Sequence, residues 1–209
     1  MTGMFVTGTD TGVGKTLVSA WLAARWGADY WKPVQSGAIE GTDAETVSAL
    51  VPACVIHPSR HVLMQPLSPH EAAARDGVRM DLTDFTLPAT ARPLVVEGAG
   101  GVMVPLNDAA LMVDLMVRLG LPAIVVARSG LGTINHTLLT LEALRRRHIP
   151  VLGVVLNGDP NPANRRAIER YGAVAILAEL PRLATVTASA LAGWPAPALA
   201  LDASSETFR

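Results

Sequence analysis

One short segment, GTDTGVGKT at residues 8–16, limits what this chain can fold into more than any other. It follows a short apolar run and precedes a helical pattern, so its glycines form a turn whose N–H groups point inward at the start of a helix. Such a turn binds polyphosphate. We expect Lys15 to reach the β- and γ-phosphates and Thr16 to bind Mg²⁺. Although five residues rather than four separate Gly8 from Gly14, the segment predicts an enzyme that uses a nucleoside triphosphate.

The composition is that of a soluble protein with one sizeable core. Half of the 209 residues are hydrophobic, and the net charge of -1 excludes the strong positive field of a typical nucleic-acid-binding protein. Cys54 is the only cysteine, so no intrachain disulfide and no cluster of cysteine metal ligands can form. The apolar runs are shorter than the roughly 20 residues of a membrane-spanning helix. We therefore expect one domain, residues 1–209, in the cytoplasm, without a nucleic-acid or membrane partner.

Short apolar runs alternate with longer amphipathic patterns along the chain. Runs rich in Val, Ile and Ala predict buried strands at 4–7, 94–97, 123–127, 151–156 and 173–177. Helical periodicity predicts helices at 15–26, 44–50, 110–119, 134–147 and 163–171. Strands that alternate with helices indicate an α/β fold, with a mostly parallel central sheet and helices on both of its faces.

Local signals predict several boundaries. Ser68, followed by Pro69 and by Glu71, is expected to form a capping box at the start of a helix. Thr42 or Asp43 is the expected cap of the helix at 44–50, and Gly120 is expected to end the helix before the 123–127 strand. Residues 52–66 are predicted to form a loop, and the tail after residue 181 has no clear pattern.

Polar residues stand where predicted strands end, which is where ligands bind in open α/β sheets. Glu97 follows an apolar run and is a candidate Mg²⁺ ligand, or else a solvated strand end. Asp43 is a second candidate ligand, or simply a helix cap. Lys32 ends a short strand that begins near Asp29, and its charge either serves the polyphosphate or only terminates the strand.

Five motifs together resemble the dethiobiotin synthetase family, over residues 8 to about 181. They are GTDTGVGKT (8–16), KPVQSG (32–37), SPH (68–70), VEGAGG (96–101) and GTINH (132–136). The resemblance implies a P-loop NTPase-like fold and an ATP- and Mg²⁺-dependent cyclo-ligase. In that reaction 7,8-diaminononanoate is carboxylated by CO₂, and a cyclic urea closes through a carbamic-phosphoric mixed anhydride. It also implies a homodimer whose substrate site is completed across the interface.

The same resemblance assigns roles to individual residues. The catalytic residues that it implies are Lys32, Lys15 and Thr11. The implied Mg²⁺ ligands are Thr16, Asp43 and Glu97. The implied substrate contacts are Thr11, Lys32, Ser36, Gly100 and Asn135. The implied ATP contacts, which include an adenine-reading asparagine at 157, are Gly12, Val13, Gly14, Lys15, Thr16, Leu17, Asp43, Glu97, Gly98, Ala99, Gly100, Asn157, Gly158 and Pro181.

Two other classes of protein share features with this sequence. An amide-forming synthetase, such as a cobyrinic acid amidation domain, would need a glutaminase domain with its own nucleophilic cysteine, and Cys54 does not stand in that context. A partitioning or septum-positioning ATPase carries an extra lysine early in the loop, where this chain has Thr9 and Asp10. The KPVQSG segment also has no role in a nucleotide switch, so the dethiobiotin synthetase family remains the preferred interpretation.

Overall fold

The computed structural model describes residues 3–195. The strands are β1 (Gly3–Gly8), β2 (Asp29–Trp31), β3 (Val34–Gln35), β4 (Ile56–His57), β5 (His61–Val62), β6 (Leu94–Gly101), β7 (Ala123–Arg128), β8 (Val151–Asn157) and β9 (Ile176–Leu180). The helices are α1 (Lys15–Trp26), α2 (Asp43–Leu50), α3 (Pro69–Asp76), α4 (Met112–Leu119), α5 (Thr133–Arg146), α6 (Pro162–Gly172) and α7 (Ala188–Ala192). Short 3₁₀ helices lie at Ala38–Glu40 and Leu82–Asp84.

Within the described residues, seven strands form one sheet in the order β4-β2-β6-β1-β7-β8-β9. Every neighbouring pair in this sheet is parallel, and β3 pairs with β5, also in parallel, in a separate two-stranded sheet. The α/β fold with a parallel central sheet is therefore confirmed. Because the strands run the same way, their carboxyl ends meet at one edge.

Helices cover both faces of the sheet, as the sequence predicts. Helices α1, α2 and α7 pack on one face around the fully buried Trp21 and Tyr30. On the other face, α3, α4, α5 and α6 contribute to a core around Phe5 and Met116. Side chains of each strand alternate between these two cores. This alternation sends Val95 and Glu97 of β6 towards the α1 face, and Leu94 and Val96 towards the other.

Three sequence predictions of regular structure are wrong in their extent. The strand predicted at 94–97 is β6, which continues to Gly101, so Glu97 is a buried residue within the strand and not a solvated strand end. The strand predicted at 173–177 is β9, which begins three residues later. Ala173 instead ends α6 in the left-handed region, at φ 43°, and an apolar run alone does not reveal that turn. Residues 52–66 are not entirely loop, because β4 and β5 lie within them. Strands of two residues are too short to show a periodic pattern.

The first residues of α3 and α2 correct the predicted capping box at Ser68 and decide between Thr42 and Asp43 as the cap of α2. The Ser68 hydroxyl contacts Nδ1 of His70 at 3.0 Å instead of capping α3, so the predicted box with Glu71 is wrong. Thr42 caps α2 and forms a capping box with Glu45. Asp43 is therefore the first residue of the helix, and its carboxylate is not used as a cap.

Helix α7 gives part of the tail after residue 181 a regular structure, while residues 196–209 of the predicted domain lie outside the described part. None of the helices between residues 3 and 195 has the length and apolar character needed to cross a membrane.

Candidate functional site

The phosphate-binding loop, residues 8–16, joins the end of β1 to the start of α1. Gly12 and Gly14 have φ values of 71° and 95°, a region that side chains other than glycine rarely adopt. A Cβ atom on Gly14 would also collide with the side-chain amide of Asn157. The glycines of the motif are therefore required by backbone conformation and by close packing.

The loop is held by its own polar groups. Nζ of Lys15 donates to the carbonyl oxygen of Asp10 at 2.9 Å. The Asp10 carboxylate accepts from the backbone N–H of Thr11 at 2.7 Å and from Arg128 at 2.9 Å. Burial, together with the nearby charge of Lys32, lowers the pKa of Lys15 from 10.5 to about 8. Lys15 thus places a desolvated ammonium group within a phosphate cradle.

Four side chains meet beside this loop, and they include all three predicted Mg²⁺ ligands. Nζ of Lys32 lies 2.9 Å from Oε1 of Glu97 and also forms an ion pair with Asp43. The Thr16 hydroxyl lies 2.7 Å from Oδ1 of Asp43 and 3.0 Å from Oε1 of Glu97. Lys32 follows the end of β2, Asp43 begins α2 and Glu97 lies in β6, so only the folded chain brings them together.

The charges in this cluster stabilise one another. Burial alone would lower the pKa of Lys32, but the carboxylates of Glu97 and Asp43 outweigh it and raise the pKa. Burial would likewise raise the pKa of Asp43, but the Lys32 ammonium and the hydrogen bonds from Lys32 and Thr16 lower it. Lys32 is therefore cationic and Asp43 anionic at neutral pH.

The oxygen atoms of the cluster suit a magnesium ion. One hydroxyl oxygen and two carboxylate oxygens converge at Thr16, next to the phosphate-binding loop. Mg²⁺ prefers hard oxygen ligands and completes its coordination with water and substrate phosphates. The residues present thus fit the metal that the sequence predicts.

A cavity of about 920 Å³ opens on one side of the loop. Lys15, Lys32, Ser36, Glu97 and Gly100 line it, and so do Thr11 and residues 66–69 at the start of α3. The hydroxyl of Ser36 is buried and has no hydrogen-bond partner among the described residues. Because an unpaired buried hydroxyl is costly, this atom marks a place where a polar ligand group belongs.

A second cavity of about 500 Å³ lies on the other side of the loop. Its walls are formed by Val13, Leu17, Asn157, Gly158 and Pro181, together with Leu183, Val186 and Trp194. The Asn157 amide donates to the carbonyl oxygen of Val13 at 2.9 Å, which fixes the orientation of its side chain. The two cavities share Thr11 and Gly12, so the loop stands between them.

The structure brings most of the predicted site residues together, with one exception. Ala99 and Gly100 line the larger cavity, and the Gly98 carbonyl accepts from Lys32 at 3.3 Å. Asn135 is exposed on the first turn of α5 and lines neither of the two cavities. Its predicted role across a subunit interface remains a prediction.

Three polar residues of the site were missed in the sequence. Tyr30 donates to Oε2 of Glu97, Gln35 accepts from the backbone N–H of Asp43, and Arg128 pairs with Asp10. Arg128 ends β7, so the rule that ligands bind at carboxyl strand ends could have identified it. Tyr30 lies two residues before Lys32 and hence on the same side of its strand, which is a weaker signal.

Comparison with known proteins covers nearly the whole chain. A family model described as an AAA domain matches residues 2–190. The chain is 66% identical over 197 residues to an ATP-dependent dethiobiotin synthetase BioD of Paramagnetospirillum magneticum, with 94% of this chain and 96% of that protein covered. It is 49% identical over 193 residues to an ATP-dependent dethiobiotin synthetase BioD of Afipia carboxidovorans, with 91% and 92% covered.

Solved structures resemble the chain at much lower identity. A ParA family ATPase from Chlorobium tepidum aligns with a TM-score of 0.55 and 12% identity, over 90% of this chain and 88% of that one. A likeness at this level concerns the fold alone. It supports a P-loop NTPase-like architecture. It does not indicate that this chain acts as a partitioning or septum-positioning ATPase.

Proposed function

The chain belongs to the ATP-dependent dethiobiotin synthetase family. On that premise we propose that the two cavities bind the two substrates of one reaction, ATP and the diamine. The enzyme is an ATP-dependent ligase of biotin biosynthesis. In our proposal ATP lies across the phosphate-binding loop, with its base in the smaller cavity. The diamine, 7,8-diaminononanoate, occupies the larger one together with CO₂.

The observation that carries this proposal is the position of Lys32. Its ammonium group is buried, is paired with two carboxylates, and lines the larger cavity beside Lys15 and Thr16. A fixed positive charge in a site of low dielectric constant stabilises negative charge that develops during a reaction. Lys32 therefore stands where the γ-phosphate of ATP and a carbamate oxygen would meet.

The proposed reaction requires positioning and charge neutralisation more than a strong base. One amine of the diamine adds to CO₂ and loses a proton, which gives a carbamate. A carbamate oxygen attacks the γ-phosphorus of ATP, and ADP leaves. The second amine then attacks the carbamate carbon, phosphate leaves, and the cyclic urea closes with loss of a proton. Lys15 and Lys32 offset the charge of the crowded phosphate and carbamate oxygens.

Magnesium is assigned to Thr16, Asp43 and Glu97 because their oxygen atoms converge next to the loop. When bound there, Mg²⁺ supplies positive charge opposite the phosphate oxygens. Lys32 touches both of the carboxylates and so orients them.

Substrate contacts are assigned to residues that line the larger cavity. The buried, unpaired hydroxyl of Ser36 offers a hydrogen bond to the diamine or to the carbamate. Thr11 lines both cavities, so we place it between ATP and the diamine, with Gly100 beside it. On the other side, Asn157 and Pro181 lie on the walls that would surround adenine.

We also propose a homodimer in which Asn135 completes the substrate site of the partner subunit. Asn135 is exposed on α5, and two large apolar side chains near it, Leu131 and Leu139, are also exposed. Exposed apolar residues around a polar one are typical of a surface that is covered in an assembly.

The reaction can be tested by measuring ADP release with each component omitted in turn. We expect ADP formation to require the diamine, bicarbonate and Mg²⁺ together. The product should be dethiobiotin, identified by mass spectrometry and formed in a one-to-one ratio with ADP. Turnover that does not depend on the diamine would contradict the proposal and would favour a nucleotide switch.

A further inference from the structure

Tyr30 makes a polar contact to the site from inside the protein core. Its side chain is fully buried among the residues beneath α1 and α2. Its hydroxyl donates to Oε2 of Glu97 at 3.0 Å. Tyr30 pairs with Val95 of β6, and Glu97 lies two residues farther along on the same face. The parallel register of β2 and β6 therefore directs the phenol towards the carboxylate.

The two oxygens of Glu97 consequently have different partners. Oε1 contacts Thr16 at 3.0 Å and Lys32 at 2.9 Å, on the side of the phosphate-binding loop. Oε2 contacts Tyr30 on the side of the core. Glu97 is almost completely buried, so its two oxygens are held mainly by these protein groups. The carboxylate of Glu97 is thus held from both sides, and the phenol is the partner of the oxygen that faces the core.

We propose that Tyr30 is a positioning residue for magnesium: its phenol holds one oxygen of Glu97 so that only the other oxygen faces the metal site. This inference rests on the proposed assignment of Glu97 as a Mg²⁺ ligand. Hydrogen bonds that orient a ligating side chain typically change metal affinity or activity by about 10- to 100-fold. Tyr30 does not line either cavity, so its effect on the reaction passes through Glu97.

The test uses Tyr30→Phe, which keeps the buried ring and removes only the hydroxyl. The chain offers a matched control, because its one other tyrosine, Tyr171, is exposed on α6. Binding of Mn²⁺ to the full-length protein with saturating ADP is measured by electron paramagnetic resonance. We expect about 10-fold or greater loss of Mn²⁺ affinity in Tyr30→Phe and none in Tyr171→Phe. The Mg²⁺ concentration for half-maximal turnover should rise in parallel, with the KM for the diamine unchanged.

Glu97→Gln separates this inference from the proposed function. If Glu97→Gln leaves Mn²⁺ affinity unchanged, Glu97 is not a ligand and the metal assignment fails together with the role of Tyr30. If Glu97→Gln weakens binding but Tyr30→Phe does not, only the role of Tyr30 is overturned. In the Glu97→Gln background, Tyr30→Phe should cause no additional loss of affinity.

A second measurement remains informative if Tyr30→Phe does not fold. In the Tyr171→Phe variant, Tyr30 is the only tyrosine, so incorporation of 3-fluorotyrosine gives a single ¹⁹F resonance. We expect this resonance to shift when Mg²⁺ is added to the ADP-bound protein. A resonance that does not respond to Mg²⁺ would contradict the inference.

Discussion

At the scale of single residues, the pairing of Lys32 with two carboxylates is what allows several charged side chains to be buried together at the site. Lys15 and Lys32 are the only two lysines in the chain, and both line the same cavity. They repel each other, which contributes to the lowered pKa of Lys15. Lys32 is stabilised because Asp43 and Glu97 flank it. The cluster therefore needs all of its members: two carboxylates without Lys32 would be left close together and poorly solvated.

Lys32→Ala should consequently affect both turnover and stability. We expect turnover to fall by at least about 100- to 1000-fold, because a preorganised positive charge is lost. The free energy of unfolding should fall by about 3–5 kcal/mol, because the buried ion pairs lose their cation. Single-turnover ADP formation and urea denaturation measure the two effects.

A double variant, Lys32→Ala with Asp43→Asn, removes one negative charge as well and serves as the control for folding. It should recover part of the stability but none of the activity. Near-normal turnover in Lys32→Ala would show that the catalytic assignment is wrong.

At the scale of elements, sequence patterns identified the long strands and helices and the loop between β1 and α1. These elements have many apolar positions, so their periodicity is clear. Strand β9 was placed three residues too early, since nothing in the apolar run at 173–177 signals the left-handed turn at Ala173. The roles of Tyr30 and Gln35 were missed because their partners, Glu97 and Asp43, lie on other elements, and the spacing of Tyr30 from Lys32 is only a weak signal.

Gln35 connects two elements that carry site residues. Its amide nitrogen donates to the Ser36 carbonyl at 2.7 Å, and its amide oxygen accepts from the backbone N–H of Asp43 at 3.0 Å. The end of β3 is thereby joined to the N-terminus of α2. The side chain positions both a candidate substrate contact, Ser36, and a candidate metal ligand, Asp43.

Gln35→Met should loosen this connection without changing the volume of the core much. We expect the KM for the diamine and the Mg²⁺ requirement to rise together by about 5-fold each, because each lost hydrogen bond contributes about 1 kcal/mol. Steady-state kinetics with varied diamine and varied Mg²⁺ measure both parameters.

Thr42→Ala is the comparison for Gln35→Met, because it weakens the cap of the same helix by about 1 kcal/mol while the Gln35 contacts remain. It should lower the melting temperature with a smaller effect on either kinetic parameter. If the two variants behave alike, helix stability rather than the Gln35 connection controls the site.

At the scale of the whole molecule, the predicted site residues other than Asn135 lie at or beside the two cavities. That residue is exposed on α5, and the apolar side chains of Leu131 and Leu139 are exposed with it. A two-fold dimer through this face would use the same patch on both subunits. Each subunit could then supply Asn135 to the cavity of the other.

If each site uses Lys32 of one subunit and Asn135 of the other, the activity of mixed dimers can be predicted quantitatively. Asn135→Ala should be almost inactive as a homodimer, as should Lys32→Ala. After equal mixing and subunit exchange, about half of the dimers are mixed, and each of these contains one site with Lys32 and Asn135 both intact. Activity should therefore return to about a quarter of the wild-type value. If each subunit completed its own site, mixing the two variants would restore nothing, and sedimentation velocity would establish whether exchange had taken place.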